Sequence, residues 1–189
     1  MEQVLEKRFK EIEQVLRDTL EQGADAIARA GQAMQSAALE RRGIFLFGNG
    51  GSAADAQHVA GELNGRFLKE RRPLKAQALV CDAATVTSIA NDYGYEQIFS
   101  RQLQANAEAG DIAFGFSTSG NSANVVEAFK AAKAIGMKTI ALTGKGGGTL
   151  ADLADVLIEI QSTFTPHIQE AGMVVYHCLC EQVDIALAE

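Results

Sequence analysis

Cysteine and histidine are scarce in this chain. Its 189 residues include three cysteines (Cys81, Cys178, Cys180) and three histidines (His58, His167, His177). An odd number of cysteines without scaffold-like spacing excludes a disulfide framework and points to a reducing compartment. Cys178 and Cys180 are two apart in a predicted helix, so they face different ways and make poor joint metal ligands. We expect them to be small buried apolar residues. No apolar run reaches the length of a membrane span, and the opening MEQVLEKRFKEIEQ has no signal-peptide core, so a cytoplasmic location is expected. Positive charge is also short: 17 Lys and Arg against 24 Asp and Glu, a formal net charge of −7. That balance argues against nucleic acid and anionic membranes as partners. A bound phosphate must then be held by local dipoles and hydroxyls, because the overall field repels it.

The most informative stretch is 111–130, DIAFGFSTSGNSANVVEAFK. Ile112 to Phe116 reads as a buried parallel strand. Val125, Val126, Phe129 and Ala132 then repeat at helical spacing. Between them lies Ser117-Thr118-Ser119-Gly120-Asn121-Ser122, a hydroxyl-rich turn opening a helix. Such a turn offers N–H groups and hydroxyls at the positive end of a helix dipole, which suits a phosphate. An ordinary N-cap from Asn121 or Ser122 is the competing reading. Four hydroxyls and an Asn in six residues exceed what a cap requires.

The remaining pattern is that of one domain, 1–189. Residues 2–42 show no strand signal. Leu5, Phe9, Ile12, Leu16 and Leu20 form one helical stripe, and Ala24, Ile27, Gly31, Met34 and Ala38 a second, with Gly23 as the break. This predicts an N-terminal helical hairpin that packs on the domain and on a neighbouring subunit. After Gly43 strands and helices alternate. Strands are expected at 44–47, 76–80, 112–116, 139–142 and 156–160. Helices are expected at 53–63, 85–107 with a break at Asp92-Tyr93-Gly94, 124–135, near 149–153, and 168–187. The fold class is therefore α/β: a five-stranded parallel, doubly wound sheet flanked by helices, with ligands beyond the carboxyl ends of the strands.

Candidate chemistry follows the turns and two helices. Gly48-Asn49-Gly50-Gly51-Ser52 is a second glycine-rich turn, which fits neither the G-x-G-x-x-G nor the G-x-x-x-x-G-K-[ST] pattern. Gly144-Lys145-Gly146-Gly147-Gly148 reads as a flexible turn. His58 and Glu62 are spaced i, i+4 on one helix face, a spacing that suits two ligands of one metal or a surface ion pair. Gln169 and His177 are eight apart on the last helix, a little over two turns. If the two helices meet, these four form a zinc-type set. Asn91 and Asp92 at the helix break suit either sugar hydroxyls or a turn.

GNGGSAADAQH, GELNGRF, ANDYGYEQIF, GDIAFGFSTSGNSANV, MKTIALTGKGGG and the IQE, His and LCE of the last helix together resemble the sugar isomerase (SIS) domain family. The likeness runs in order from about Gly48 to the C-terminus. It is closest to members that convert sedoheptulose 7-phosphate to D-glycero-D-manno-heptose 7-phosphate, the first step towards nucleotide-activated heptose for surface glycans such as lipopolysaccharide. The resemblance implies a homotetramer with sites between subunits and one zinc ion per subunit. It also implies Ser117, Thr118, Ser119 and Ser122 as phosphate ligands and Asn49, Gly50, Gly51, Asn91 and Asp92 as sugar contacts. His58, Glu62, Gln169 and His177 would hold zinc, Glu62 and Gln169 would also touch substrate, and Glu62 and His177 would be the acid–base pair. Gly61 and His167 depart from the family pattern at the pocket rim. The alternatives are a non-catalytic relative that binds a replication initiator, whose kind tends to lack the Glu and the His, and an isomerase of another ketose phosphate.

Overall fold

The computed structural model describes residues 2–188. The elements run α1 (Glu2–Leu39), β1 (Ile44–Gly48), α2 (Gly51–Asn64), β2 (Ala76–Ala78), α3 (Ala83–Tyr93), α4 (Ser100–Asn106), β3 (Ile112–Ser117), α5 (Ala123–Ile135), β4 (Lys138–Gly144), β5 (Val156–Ile160) and α6 (Thr165–Leu187). Short 3₁₀ turns occupy Tyr95–Gln97 and Gly148–Asp152. All five strands are parallel, in the order β2-β1-β3-β4-β5.

Strand alternation divides the core into two layers. Ile44 and Leu46 of β1, with Phe114 and Phe116 of β3, face α1, α2 and α6. Phe45 and Phe47 face the other way, onto Phe99, Leu103 and Phe129 from α4, α5 and the segment before them. Both faces of the sheet are covered, so its strands read as continuous apolar runs. From β1 the chain goes outward to β2 and then crosses back to β3, so the winding direction reverses between β1 and β3. Gly48 and Phe116 are register partners there. The turns that follow β1 and β3 therefore open side by side at the topological switch point, where such sheets bind ligands.

One expectation is corrected. The N-terminal segment is a single 38-residue helix, not a hairpin. Gly23 does not break it, because the glycine lies against β5, with the Glu159 carbonyl 3.9 Å from where a β-carbon would stand. Tertiary packing outweighs the helix-propensity cost of about 1 kcal/mol. Gly31 makes room in the same way for the side chain of Gln182 on α6, and Gln35 Nε2 donates to the Gln182 carbonyl at 2.9 Å. The buried residues of the helix are Val15, Thr19, Gly23, Ala30, Gly31, Met34, Ala37 and Ala38, so Gly31, Met34 and Ala38 of the expected second stripe do face the core. Leu5, Phe9 and Leu20 of the expected first stripe stay exposed, Phe9 at 73%.

Cysteine burial is corrected too. Cys180 is buried, and that burial pushes its thiol up to about 12, whereas Cys178 is exposed. Adjacent helical positions one residue either side of Leu179 point to opposite faces, so only one of the pair enters the core. Among the described residues no helix is long and apolar enough to cross a membrane.

Candidate active site

The turn after β3 is held by contacts from within the fold. Gly120 adopts φ +66°, a left-handed conformation that glycine takes without strain. A β-carbon there would run into the Gly147 carbonyl. The Gly120 carbonyl accepts from Leu150 N at 3.1 Å. Asn121 Oδ1 accepts from the backbone N and the hydroxyl of Thr149 at 2.9 and 2.8 Å. The 144–148 segment, which reads as a flexible turn in the sequence, is thus a buttress for the hydroxyl turn. Ser122 stands at the N-cap of α5 but makes no side-chain capping bond. Its Oγ lies 3.0 Å from Ser117 Oγ instead. Ser117 is buried, Thr118 and Ser122 are half-buried, and Ser119 is exposed.

The turn after β1 is tied to this one. Asn49 and Asn124 exchange two amide hydrogen bonds of 2.8 Å each, and Tyr95 Oη donates to Asn49 Oδ1 at 2.9 Å. These bonds use both acceptor positions of Asn49 Oδ1 and one of its two amide N–H donors, which leaves one donor free. Gly50 has φ +58° and is exposed. Gly51 has no side chain, and the Gln169 amide occupies the space a β-carbon would need.

Helices α2 and α6 meet above the same strand ends. His58 Nε2 lies 3.2 Å from Glu62 Oε1 and 3.5 Å from His177 Nε2. Tyr176 Oη lies 3.2 Å from His58 Nδ1 and donates to Asp55 Oδ1 at 3.4 Å. A small cavity of about 10 Å³, the size of one water, runs between Ser117 and Thr118 on one side and Gln169, Tyr176, Asp55 and Ser52 on the other. The hydroxyl turn thus shares this cavity with Asp55, Gln169 and Tyr176, and Tyr176 in turn touches His58. Phe67 stacks on the His177 ring at 5.2 Å. Burial lowers the His177 pKa, the nearby His58 lowers it further, and Glu62 opposes both. Burial raises the carboxyl of Asp55, against the Tyr176 hydrogen bond and His58.

The imidazole and carboxylate donors suit zinc chemically. Separations of 3.2 and 3.5 Å are near the ~3.4 Å expected between two ligands of a tetrahedral zinc ion. Among the described residues, however, no group of three or more His, Cys, Asp or Glu side chains is arranged to hold a metal together.

Asn91 and Asp92 lie exposed in the last turn of α3, with Asn91 Nδ2 donating to Asp92 Oδ1 at 2.7 Å. Asp92 borders a separate depression with Thr85, Ser88 and Arg101. His167 faces α1, near Arg8 Nη1 at 3.3 Å and Glu11 Oε2 at 3.6 Å, rather than the pocket. Gly61 is exposed, with nothing within 4 Å of a β-carbon placed on it. Sequence reasoning missed Tyr176 and Asn124. Tyr176 had a signal: it follows Gln169 by seven residues, two turns on the same face.

Residues 8–144 match the SIS domain family, and the chain belongs to that family. Its fold is similar to that of a solved phosphoheptose isomerase from Neisseria gonorrhoeae, GmhA, which is 38% identical. That match has a TM-score of 0.92 and covers 97% of this chain and 98% of the other. A phosphoheptose isomerase structure from Francisella tularensis aligns with a TM-score of 0.93 at 36% identity, over 97% of both chains. The phosphoheptose isomerase of Rhodospirillum rubrum is 50% identical over 165 residues, 87% of each chain. Within its family, then, this chain is an isomerase.

Proposed function

We propose that this chain converts sedoheptulose 7-phosphate to D-glycero-D-manno-heptose 7-phosphate. The observation that supports this most strongly is the meeting of α2 and α6, which brings Glu62 and His177 within 3.2 and 3.5 Å of His58, while Gln169 and Tyr176 of α6 line a cavity with Ser117 and Thr118 of the hydroxyl turn. Ser117, Thr118, Ser119 and Ser122 bind the phosphate, helped by the N–H groups at the start of α5. Asn49, Gly50 and Gly51 line the sugar chain, with Glu62 and Gln169 at its reacting end. Asn91 and Asp92, exposed on α3, would serve a neighbour's pocket in a homotetramer. The reaction would take place in the cytoplasm and supply heptose for nucleotide-activated intermediates of surface glycans such as lipopolysaccharide.

Glu62 and His177 act as the acid–base pair. A proton leaves C1 as the C2 ketone oxygen takes one up, giving an enediol. A proton then returns to C2 while the O1 hydroxyl loses its own, and C1 becomes the aldehyde. His58, Glu62, Gln169 and His177 would hold one zinc ion per subunit. When bound, zinc supplies Lewis-acid polarisation of the substrate oxygens.

The test is direct. Purified protein is incubated with sedoheptulose 7-phosphate, with and without added zinc, and the aldose is followed by NMR. Aldose should appear, and Glu62→Gln and His177→Ala should each reduce turnover by at least about 100-fold with unchanged circular dichroism. Near-normal turnover in either variant removes that residue from the mechanism. No aldose from the parent protein under either condition removes the proposed substrate.

A further inference from the structure

We propose that Asn124 and Tyr95 lock the Asn49 side-chain amide in one orientation, so that the turn after β1 offers the sugar a single N–H donor and no acceptor. The lock starts from a backbone group. Val125 N donates to Asn124 Oδ1 at 3.0 Å, and a peptide N–H can only donate, so this contact fixes which end of the Asn124 amide is oxygen. Asn124 is 2% exposed, so water does not compete for that amide. Its Oδ1 accepts from Asn49 Nδ2, and its Nδ2 donates to Asn49 Oδ1, both at 2.8 Å. Turning the Asn49 amide over would set nitrogen against nitrogen and oxygen against oxygen at these two short contacts. Tyr95 Oη adds a third point by donating to the same Asn49 Oδ1 at 2.9 Å.

An amide oxygen has two acceptor positions, and here both are filled. The hydrogen left over on Asn49 Nδ2 lies trans to the oxygen, so it points away from both Asn124 and Tyr95. Asn49 is half-buried beside exposed Gly50, which leaves that hydrogen to water or to a ligand. Whatever replaces the water must bring a lone pair, as a carbonyl or hydroxyl oxygen of a sugar does. Asn124 is the second residue of α5, the helix that the hydroxyl turn opens. The same side chain thus ties the turn read as the sugar contact to the turn read as the phosphate contact. Tyr95 is 55% exposed, so its ring adds little to the core and its hydroxyl bond is the contact that matters. Tyr95 and Asn124 are positioning residues, and neither needs to touch substrate.

This deepens, and rests on, the sugar-phosphate reading of the same site. The full-length protein is titrated calorimetrically with sedoheptulose 7-phosphate and, separately, with inorganic phosphate. Tyr95→Phe keeps the ring and removes only the hydroxyl, so the Asn49 oxygen loses its third point and the amide is free to swing. It should weaken the ketose phosphate by about 3–10-fold, roughly what one neutral hydrogen bond contributes, and leave inorganic phosphate within about twofold. Asn49→Ala should weaken the ketose phosphate by a similar factor. Adding Tyr95→Phe to Asn49→Ala should then change nothing further, because Tyr95 acts only through the Asn49 amide. A role in folding alone would weaken both ligands together and would persist in the double variant.

Ketose phosphate affinity in Tyr95→Phe within about twofold of the parent overturns the lock. An equal loss for both ligands, or additive losses in the double variant, overturns it as well. A parent protein that binds no ketose phosphate overturns the lock as a sugar contact and removes the proposed substrate with it. The expected pattern in a protein that yields no aldose keeps the lock and removes the isomerase reading.

Discussion

Replacing Asp184 with alanine should be among the most damaging single changes in this chain. Asp184 and Arg71 form an ion pair at 2.8 Å with both side chains fully buried. Asp184 Oδ2 also accepts from Leu68 N at 2.6 Å and Lys69 N at 2.9 Å. Arg71 in turn donates to the carbonyls of Glu62, Leu63, Gly65 and Arg72 at 2.8–3.0 Å. Removing the carboxylate strands a buried guanidinium, which costs about 3–5 kcal/mol. The freed N–H groups of Leu68 and Lys69 add little, because those residues are exposed and water can replace the oxygen. For a domain of this size the loss corresponds to a fall in Tm of about 6–20 °C.

The pH dependence has a definite sign. Burial alone would raise the Asp184 carboxyl, but the Lys69 and Leu68 amides and Arg71 outweigh it and hold the pKa below the ordinary value. A depressed folded-state pKa gives stability that is complete above the unfolded value of about 4 and is lost as pH falls through the lower folded value. Urea unfolding of the parent and Asp184→Ala at neutral pH and in the acid range checks both statements. A loss under 1 kcal/mol at neutral pH, or identical acid slopes for the two proteins, would refute the reasoning. Arg71 Nη2 also holds the Glu62 carbonyl, so turnover should fall along with stability.

Other changes test the pocket and the long helix. Gly120→Ala forces a β-carbon into the Gly147 carbonyl at a positive φ. It should cost about 1–3 kcal/mol in thermal unfolding and raise KM for the phosphorylated substrate. Gly51→Ala should displace the Gln169 amide, lowering kcat while Tm moves by only a few degrees. Phe9→Asp, at an exposed site on α1, should leave circular dichroism unchanged and shift light-scattering mass towards smaller species if α1 joins subunits. An unchanged mass would exclude Phe9 from the interface.

Much of this was legible in the sequence because its signals are local. The strand starts at Ile44, Ala76, Ile112 and Val156 follow from runs of apolar residues, and the parallel, doubly wound class of the sheet follows from alternation with helices, whereas the strand order is read only from the structure. The His58–Glu62 spacing was visible as well. Gly23 misled, because its effect depends on β5, more than a hundred residues away. The roles of Tyr176, Asn124 and Gly147 were hidden for the same reason, since each acts on a partner brought near only by the fold. Asn91 and Asp92 read as sugar contacts or as a turn, and the structure places both, exposed, in the last turn of α3.

The interlock between Gly120, Asn121 and the Thr149–Leu150 backbone has a thermodynamic meaning for the empty protein. Immobilising one residue's backbone costs about 1–2 kcal/mol, and here that cost is met while the chain folds. On the proposed reading of this turn as the phosphate site, binding would not have to order the loop again, which would offset the repulsive field of an acidic chain.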